Sequence, residues 1–172
     1  MLAAEPAFHT CVSAGATPPK TVIGTTDQVA GQLAVDPTAL GSAQVGTILV
    51  NARTLATDDA QRNRALQNWI LTTDQDEYIA FTPTALQGLP ASTTLGQSYT
   101  FQMSGQLTIR NVTRDVTFDV TVTPLSARQL AGSASTTIRY ADWNISIPQV
   151  PFVASVSDQV RLELDFVASA NA

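Results

Sequence analysis

The sequence has few of the residues from which catalytic and metal sites are usually built. Among its 172 residues there is one histidine, His9, and one cysteine, Cys11. A single cysteine excludes an internal disulfide and a zinc site made of several cysteines. A Cys–His pair or a Ser–His–Asp triad would have to use His9, which stands in a poorly patterned stretch. An ordinary exposed histidine and an incidental thiol explain these two residues better than a metal site or a nucleophilic pair.

Charge is also scarce, and the balance is acidic. Charged residues make up 13% of the chain, Lys20 is its one lysine, and the net charge is −5. We therefore expect no basic surface for nucleic acid and a mild repulsion from anionic membranes. No apolar run approaches the roughly 18 residues of a membrane span, and residues 1–20 lack the basic start and apolar core of a signal peptide. The chain is expected to have no transmembrane segment, and to be cytoplasmic or to have lost a leader already.

The acidic residues follow no catalytic pattern. Asp58 and Asp59 stand at a predicted helix start, and Asp74, Asp76 and Glu77 fall in a predicted loop. These positions favour a helix terminus and a solvated turn over paired carboxylates for acid–base chemistry. The glycines are scattered, so the sequence has no phosphate-binding loop. The sequence therefore predicts no enzyme, no metal site and no required cofactor.

Period-two alternation, by contrast, is abundant, and it is typical of strands with one apolar and one wet face. In the two longest runs the apolar positions are Tyr99, Phe101, Met103, Gly105, Leu107 and Ile109, then Val116, Phe118, Val120 and Val122. Residues 110–115 join these runs, which indicates an antiparallel hairpin. A third run alternates through Val160, Leu162, Leu164 and Phe166, and weaker strands fit residues 28–36, 46–52, 77–86 and 130–140.

One segment interrupts the strands. Within residues 57–71, Leu66, Trp69 and Ile70 follow helical spacing, and Thr57 is a suitable N-cap residue. The spacing predicts one helix of about three turns.

The number of strands predicts the fold class. There are about seven strands, or eight if part of residues 8–24 contributes one. Many one-faced strands without a βα repeat favour a closed or nearly closed antiparallel sheet, because closure removes exposed edges. We predict an all-β barrel with one short helix inserted, formed by residues 21–172 as a single domain. Residues 1–20 are predicted to be irregular.

Three stretches resemble the YceI-like family of polyisoprenoid-binding proteins. Residues 105–118, GQLTIRNVTRDVTF, are closely similar to the family signature G-x-L-T-x-x-G-V-T-R-x-V and are the most specific match. Residues 53–81 are similar to the family's strand, helix and return strand. Residues 137–166 contain DWNI where members often have Asp-Phe-Gly-Ile. The resemblance extends from about Val22 to Ala168.

The sequence departs from the family pattern at several positions. Asn111 and Asn144 replace glycines, which is a mild change because Asn tolerates a left-handed backbone. Asn63 stands where members usually have the helix Asp. The first family strand is not recognisable in residues 1–20, which leaves open an exposed barrel edge there and a homodimer formed through it.

The resemblance implies a lipocalin-like barrel that holds a polyprenyl chain, such as an isoprenoid quinone or polyprenyl phosphate, in an internal tunnel. It also implies a bacterial protein that is periplasmic or secreted. Small residues on the apolar phases are expected to leave room for the lipid, namely Gly31, Ala52, Gly105, Gly132, Ala134 and Thr136. The predicted lining and mouth residues are Tyr99, Phe101, Met103, Phe118, Ile138, Tyr140, Trp143, Phe152 and Phe166.

Two other interpretations remain open at this point. The same side chains also fit a filled core, in which the small residues mark bulges and corners. A ligand-free interaction module that pairs through an edge near the altered first strand is the alternative to a non-catalytic lipid carrier.

Overall fold

Eleven β-strands and one short α-helix form the part of the chain that the structure describes. The structure, a computed structural model, describes residues 2–15, 20–36, 39–147 and 155–170. The strands are β1 (Leu2–Gly15), β2 (Lys20–Thr26), β3 (Val29–Ala30), β4 (Gln32–Asp36), β5 (Ala39–Val45), β6 (Ile48–Asn51), β7 (Tyr78–Gln87), β8 (Tyr99–Ile109), β9 (Val112–Ser126), β10 (Gln129–Arg139) and β11 (Ser155–Ala170). Helix α1 spans Ala60–Ala65 between β6 and β7.

The strand pairing curls the sheet back onto itself. Every pairing is antiparallel, and the hydrogen-bonded order runs from β6 through β7, β8, β9, β10 and β11 to β1. Strands β2, β3 and β4 follow one another within residues 20–36. Of these, β2 and β4 pair with β1, whereas β3 pairs with β6. The stretch that contains β2–β4 therefore lies between the two ends of the ladder. Counted as one segment each, β2–β4 and β5–β6 join the six other strands in a lipocalin-like barrel of eight chain segments, as predicted.

The amino-terminal stretch differs from its prediction. Residues 1–20 were expected to be irregular, but β1 pairs with β11 from Leu2↔Ala170 to Gly15↔Ser155. On its other side β1 pairs with β2 and β4. Along Leu2–Ala3 and Phe8–Val12 the strand is hydrogen-bonded on both sides, so the exposed edge that the sequence left open is not found over these residues.

The alternation of β8 and β9 separates a core face from a wet face. Met103, Leu107 and Ile109 on β8 are buried, as are Phe118, Val120 and Val122 on β9. On the outer face, hydrogen bonds between side chains cross the pair, with Thr108 Oγ1 lying 2.8 Å from Thr113 Oγ1 and Ser104 Oγ 2.9 Å from Thr117 Oγ1. The apolar phase of the sequence therefore defines the inside of the barrel.

The β8–β9 turn is tighter than predicted. Only Arg110 and Asn111 connect the strands, because Ile109 already pairs with Val112. Both turn residues have positive φ, 49° and 59°. Two consecutive left-handed residues are typical of a type I′ hairpin, and Asn111 is suited to such a position. Asn144 also has positive φ, 56°, as expected for an Asn at a family glycine.

The predicted helix is present, with a different cap. Helix α1 begins at Ala60, and Asp59 is its N-cap, accepting a hydrogen bond of 2.8 Å from the backbone N–H of Arg62. A wider π-type turn follows over Leu66–Ile70. Thr57, the predicted cap, lies outside the helix and binds Asn63 instead. In the described ranges, no helix has the length and apolar character needed to cross a membrane.

Candidate ligand-binding site

Two apolar chambers lie inside the barrel. The large chamber has a volume of about 190 Å³ and the small chamber one of about 80 Å³. Among the described residues, no charged side chain lines either chamber, and the polar lining side chains are Thr57, Tyr140 and Gln32. Surfaces of this kind solvate hydrocarbon and offer an ionised group almost no compensation for lost water.

The large chamber lies under the helical segment. Leu66, Ile70 and Leu71 form part of its lining together with barrel residues such as Leu107 and Leu162. The wider turn that ends the helix thus aims apolar side chains down into the barrel. Trp69, in the same turn, faces outward and is 70% exposed.

The helical segment, residues 57–71, is the cover of the large chamber, and polar contacts hold it in place. Asn63 Oδ1 accepts hydrogen bonds of 2.7 Å from both the backbone N–H and the Oγ1 of Thr57. Arg110 donates to the backbone carbonyl of Ile70 at 3.2 Å, and Arg53 donates to that of Thr73 at 3.0 Å. The bonds of Asn63 lie within residues 57–71. That of Arg110 reaches the segment from the β8–β9 turn, and that of Arg53 reaches Thr73, just after it, from the short helical turn at Ala52–Thr54. Together they fix the cover of the large chamber.

The small chamber lies under the β4–β5 hairpin. Leu33 on β4 and Leu40 and Val45 on β5 line it from one side. Phe101 and Phe166 line it from β8 and β11. Its cover is therefore a pair of strands held by a backbone ladder, with a register shift between Ala34 and Asp36.

Four residues border both chambers. They are Ile48 on β6, Met103 on β8, Ala134 on β10 and Leu164 on β11. All four are at least half-buried, and Met103 and Ala134 are 5% and 3% exposed. We call this set the constriction.

The small residues expected to leave room do so only in part. Gly31 lines the small chamber and Ala134 lines both chambers. At Gly105 and Gly132 a neighbouring ring already occupies the space. A Cβ added at Gly105 would lie 2.8 Å from the Phe81 ring, and one at Gly132 would lie 2.5 Å from that of Phe166. These glycines allow close packing rather than empty volume, a common role for glycine in a strand.

The rings that cover these glycines become chamber walls. Phe81 lines the large chamber and packs edge-on against Phe118, with 4.9 Å between the ring centroids. Phe166 lines the small chamber from its position across from Gly132. The filled-core interpretation is therefore correct locally, although the chambers remain beside these contacts. Of the other two small residues, Ala52 is buried and Thr136 faces an outer groove.

This outer groove opens where β9 and β10 separate. Their ladder ends at the pair Asp119↔Ser135, and a short 3₁₀ turn over Tyr140–Trp143 follows β10. Trp143 borders the groove but is only 2% exposed, and its Nε1–H donates to the carbonyl of Leu107 at 3.1 Å. Arg114 donates to the carbonyl of Asp142 at 2.9 Å. Trp143 therefore anchors the turn against a strand whose Leu107 lines the large chamber.

Six of the nine predicted lining residues border a chamber. Phe101 and Phe166 line the small one, Phe118, Ile138 and Tyr140 line the large one, and Met103 lines both. Tyr99 is half-buried outside the chambers, and its hydroxyl accepts a bond of 2.8 Å from the backbone N–H of Thr94. Trp143 lies in the turn described above, and Phe152 lies outside the described residues. Their contact with a ligand stays a prediction.

Residues of the cover and of the last strand were missed as lining. Val160, Leu162 and Leu164 line a chamber with the same phase as Phe166, so their alternation was a usable signal. The helical spacing of Leu66 and Ile70 marked an apolar face without showing that it faces the barrel interior. Ile145 follows the 3₁₀ turn, and no strand or helix pattern marks it.

The described part of the chain contains no cluster of three or more His, Cys, Asp or Glu residues, and the expected lack of a metal site stays a prediction. His9 and Cys11 stand on β1, and their side chains lie outside what the structure describes. Asp58 forms an ion pair with Arg62 at 2.5 Å, which fits a helix terminus rather than a catalytic carboxylate.

Comparisons with known proteins agree with this architecture. The model of the YceI-like domain matches residues 7–168. BcnA of Burkholderia cenocepacia has a TM-score of 0.75 at 16% identity, covering 94% of this chain and 96% of that protein. A polyisoprenoid binding domain from Saccharophagus degradans, implicated in plant cell wall breakdown, has a TM-score of 0.74 at 13% identity, covering 99% and 98%. The Campylobacter jejuni YceI protein has a TM-score of 0.70 at 16% identity, covering 87% and 85%. No curated protein matches the sequence. At these identities the solved structures show a shared fold.

Proposed function

The chain belongs to the YceI-like domain family, and from that premise we propose that it is a non-catalytic carrier of a long isoprenoid lipid held in the two chambers. The observation that carries the proposal is the almost wholly apolar lining of both chambers. The polyisoprenoid binding of the Saccharophagus degradans domain, which has the same fold, supports the same class of ligand.

The hydrophobic effect supplies the affinity in this proposal. Burial of one CH₂ group contributes roughly 0.8 kcal/mol, so a five-carbon prenyl unit gains about 3–4 kcal/mol on leaving water. A few units would therefore bind firmly without any polar contact, even after the cost of immobilising the chain.

The head group stays outside the chambers. Thr57, Tyr140 and Gln32 offer isolated hydrogen-bonding groups, and among the described lining residues no cation faces a phosphate. A phosphate or quinone ring therefore remains in water at a mouth of the barrel, while the prenyl chain enters.

The lack of catalytic side chains in the described lining supports a binding role over catalysis. A general acid, base or nucleophile must reach the reacting atom, and the described lining contains no acidic residue, histidine or cysteine. Family membership favours a bacterial protein of the periplasm or the extracellular space.

Lipid extraction tests the proposal. We would express the chain in a bacterial host, extract the purified protein with organic solvent and identify the extract by mass spectrometry. We expect a prenyl lipid in stoichiometric amount.

A matched pair of probes separates chain from head. Lipid-stripped protein would be offered a prenyl benzoquinone and the same benzoquinone without its chain. We expect retention of the prenyl compound alone on gel filtration. An empty extract together with no uptake of the prenyl quinone would overturn the carrier proposal.

A further inference from the structure

The constriction lies where the two chambers adjoin, because its four residues line both of them. Its four residues come from β6, β8, β10 and β11, so they are spread around the wall of the barrel. Above and below this level the lining belongs to one chamber only. A chain that fills one chamber completely must pass between these side chains to reach the other.

The residues of the constriction differ in the flexibility of their side chains. Met103 is unbranched and has three rotatable bonds, so it adapts its shape at little cost. Ile48 and Leu164 are branched and stiffer. Ala134 is the smallest member, and it pairs with Val120 on β9 and with Leu164 on β11. Clearance at this level therefore depends on Ala134 remaining small and on the movement of Met103.

We propose that the constriction is a gate for chain length. A short isoprenoid is held in one chamber, whereas a long one displaces Met103, passes over Ala134 and occupies both. This inference rests on the proposed function and adds to it which residues decide the length of lipid retained.

The volumes agree with a long chain that needs both chambers. Pockets for drug-sized ligands usually measure about 300–1,000 Å³. Each chamber is smaller than that, about 190 Å³ and about 80 Å³. A long chain therefore needs both chambers and the space that Met103 gives up.

A competition between two lipids tests the gate. Lipid-stripped protein would be offered an equimolar mixture of farnesyl and decaprenyl benzoquinone in detergent. The protein would then be separated by gel filtration, and the ratio of retained species measured by mass spectrometry. Both lipids carry one head group, so the ratio reports chain length alone.

Two substitutions should move this ratio in opposite directions. Ala134→Phe fills the passage, and we expect the ratio of decaprenyl to farnesyl species to fall at least tenfold. Met103→Ala removes the movable side chain, and we expect the ratio to rise severalfold. Opposite signs cannot arise from a general loss of stability, and Met103→Ala keeps the test available if Ala134→Phe does not fold.

Val112→Ala is the control. Val112 lies on β9, is half-buried against the core, and lines neither chamber. Its truncation should leave the ratio within twofold of the wild-type value.

The outcomes separate the two proposals. If the wild-type protein retains neither lipid, the carrier function is overturned and the gate with it. If it retains both, while the ratio stays unchanged in folded Ala134→Phe and Met103→Ala, the function stands and the gate is wrong.

Discussion

The two ends of the barrel are covered in different ways. Over the large chamber lie the helical segment and the 3₁₀ turn, held by side-chain hydrogen bonds such as those of Asn63, Arg110 and Trp143. Over the small chamber lies the β4–β5 hairpin, held by its own ladder and by pairing of β4 with β1. One cover depends on particular side chains, and the other mainly on hydrogen bonds between backbone groups.

This difference predicts where the molecule is sensitive to substitution. A cover fixed by particular side chains loses its position when one partner is removed, because the remaining group is left buried and unpaired. A hairpin keeps its ladder when a side chain is truncated. We therefore expect the largest effects at the large-chamber end.

The largest effect is expected from Trp143→Ala. Trp143 is 2% exposed and its indole N–H is hydrogen-bonded to Leu107. Truncating a buried aromatic residue costs about 3–5 kcal/mol in free energy of unfolding, measured by chemical denaturation. Trp69→Ala, at a residue that is 70% exposed, should change stability by less than about 0.5 kcal/mol. Equal effects of the two would contradict the role given to the 3₁₀ turn.

Two leucine truncations compare the covers directly. Leu71, under the helical segment, is 8% exposed, whereas Leu33 on β4 is only half-buried. Leu71→Ala should lower the free energy of unfolding by about 2–5 kcal/mol, as for buried leucines elsewhere. Leu33→Ala should cost clearly less, because water already reaches its side chain. If urea titrations showed a larger loss of stability for Leu33→Ala than for Leu71→Ala, the comparison of the two covers would be contradicted.

A polar substitution tests the cover of the large chamber directly. Asn63→Ala removes the acceptor for both Thr57 bonds, with an expected loss of about 1–2 kcal/mol, because the half-buried backbone N–H of Thr57 is left unpaired. Amide hydrogen exchange should speed up in residues 57–71 and remain unchanged in the β4–β5 hairpin. Asn68→Ala, at an exposed position in the same segment, is the control. An equal increase in amide exchange in residues 57–71 and in the β4–β5 hairpin would argue against a cover that is held independently of the rest of the barrel.

The smallest effect is expected in the β8–β9 turn. Asn111 combines a left-handed backbone with a hydrogen bond of 2.6 Å to Asp76 in the loop after the helical segment. Asn111→Gly retains the backbone preference and should cost at most about 1 kcal/mol. Asn111→Ala should cost about 1 kcal/mol more, because Ala disfavours positive φ. Thermal unfolding of the two variants gives their difference in stability. Identical midpoints would contradict a requirement for a left-handed backbone at this position.

Much of the fold was predictable because alternation is a local property. Strands β8, β9 and β11 each present one apolar face, and the pattern can be read without knowing the partner strand. Strand β1 was predictable only in part, as a possible strand within residues 8–24, since it contains Pro6 and small residues where a central strand usually has β-branched ones. Its identity comes from pairing with β11, which lies far along the chain.

The lining residues on strands were predictable from the sequence, whereas those on the connections between strands were not. Phe101 and Phe118 lie on alternating strands, so their inward direction follows from phase. Leu71 and Ile145 reach the large chamber because the segments that carry them fold back over the barrel, which is a matter of tertiary packing. Phe81 was missed because its place over Gly105 depends on contact between neighbouring strands.

The pairing of β1 with β11 also has a kinetic consequence. Leu2 pairs with Ala170, so the contact that completes the barrel joins nearly opposite ends of the described chain. Such long-range pairing makes folding slow, because loop-closure entropy is lost before the contact forms. On a ribosome β1 emerges well before β11, its partner. We therefore expect the barrel to close only once β11 has been synthesised and has docked.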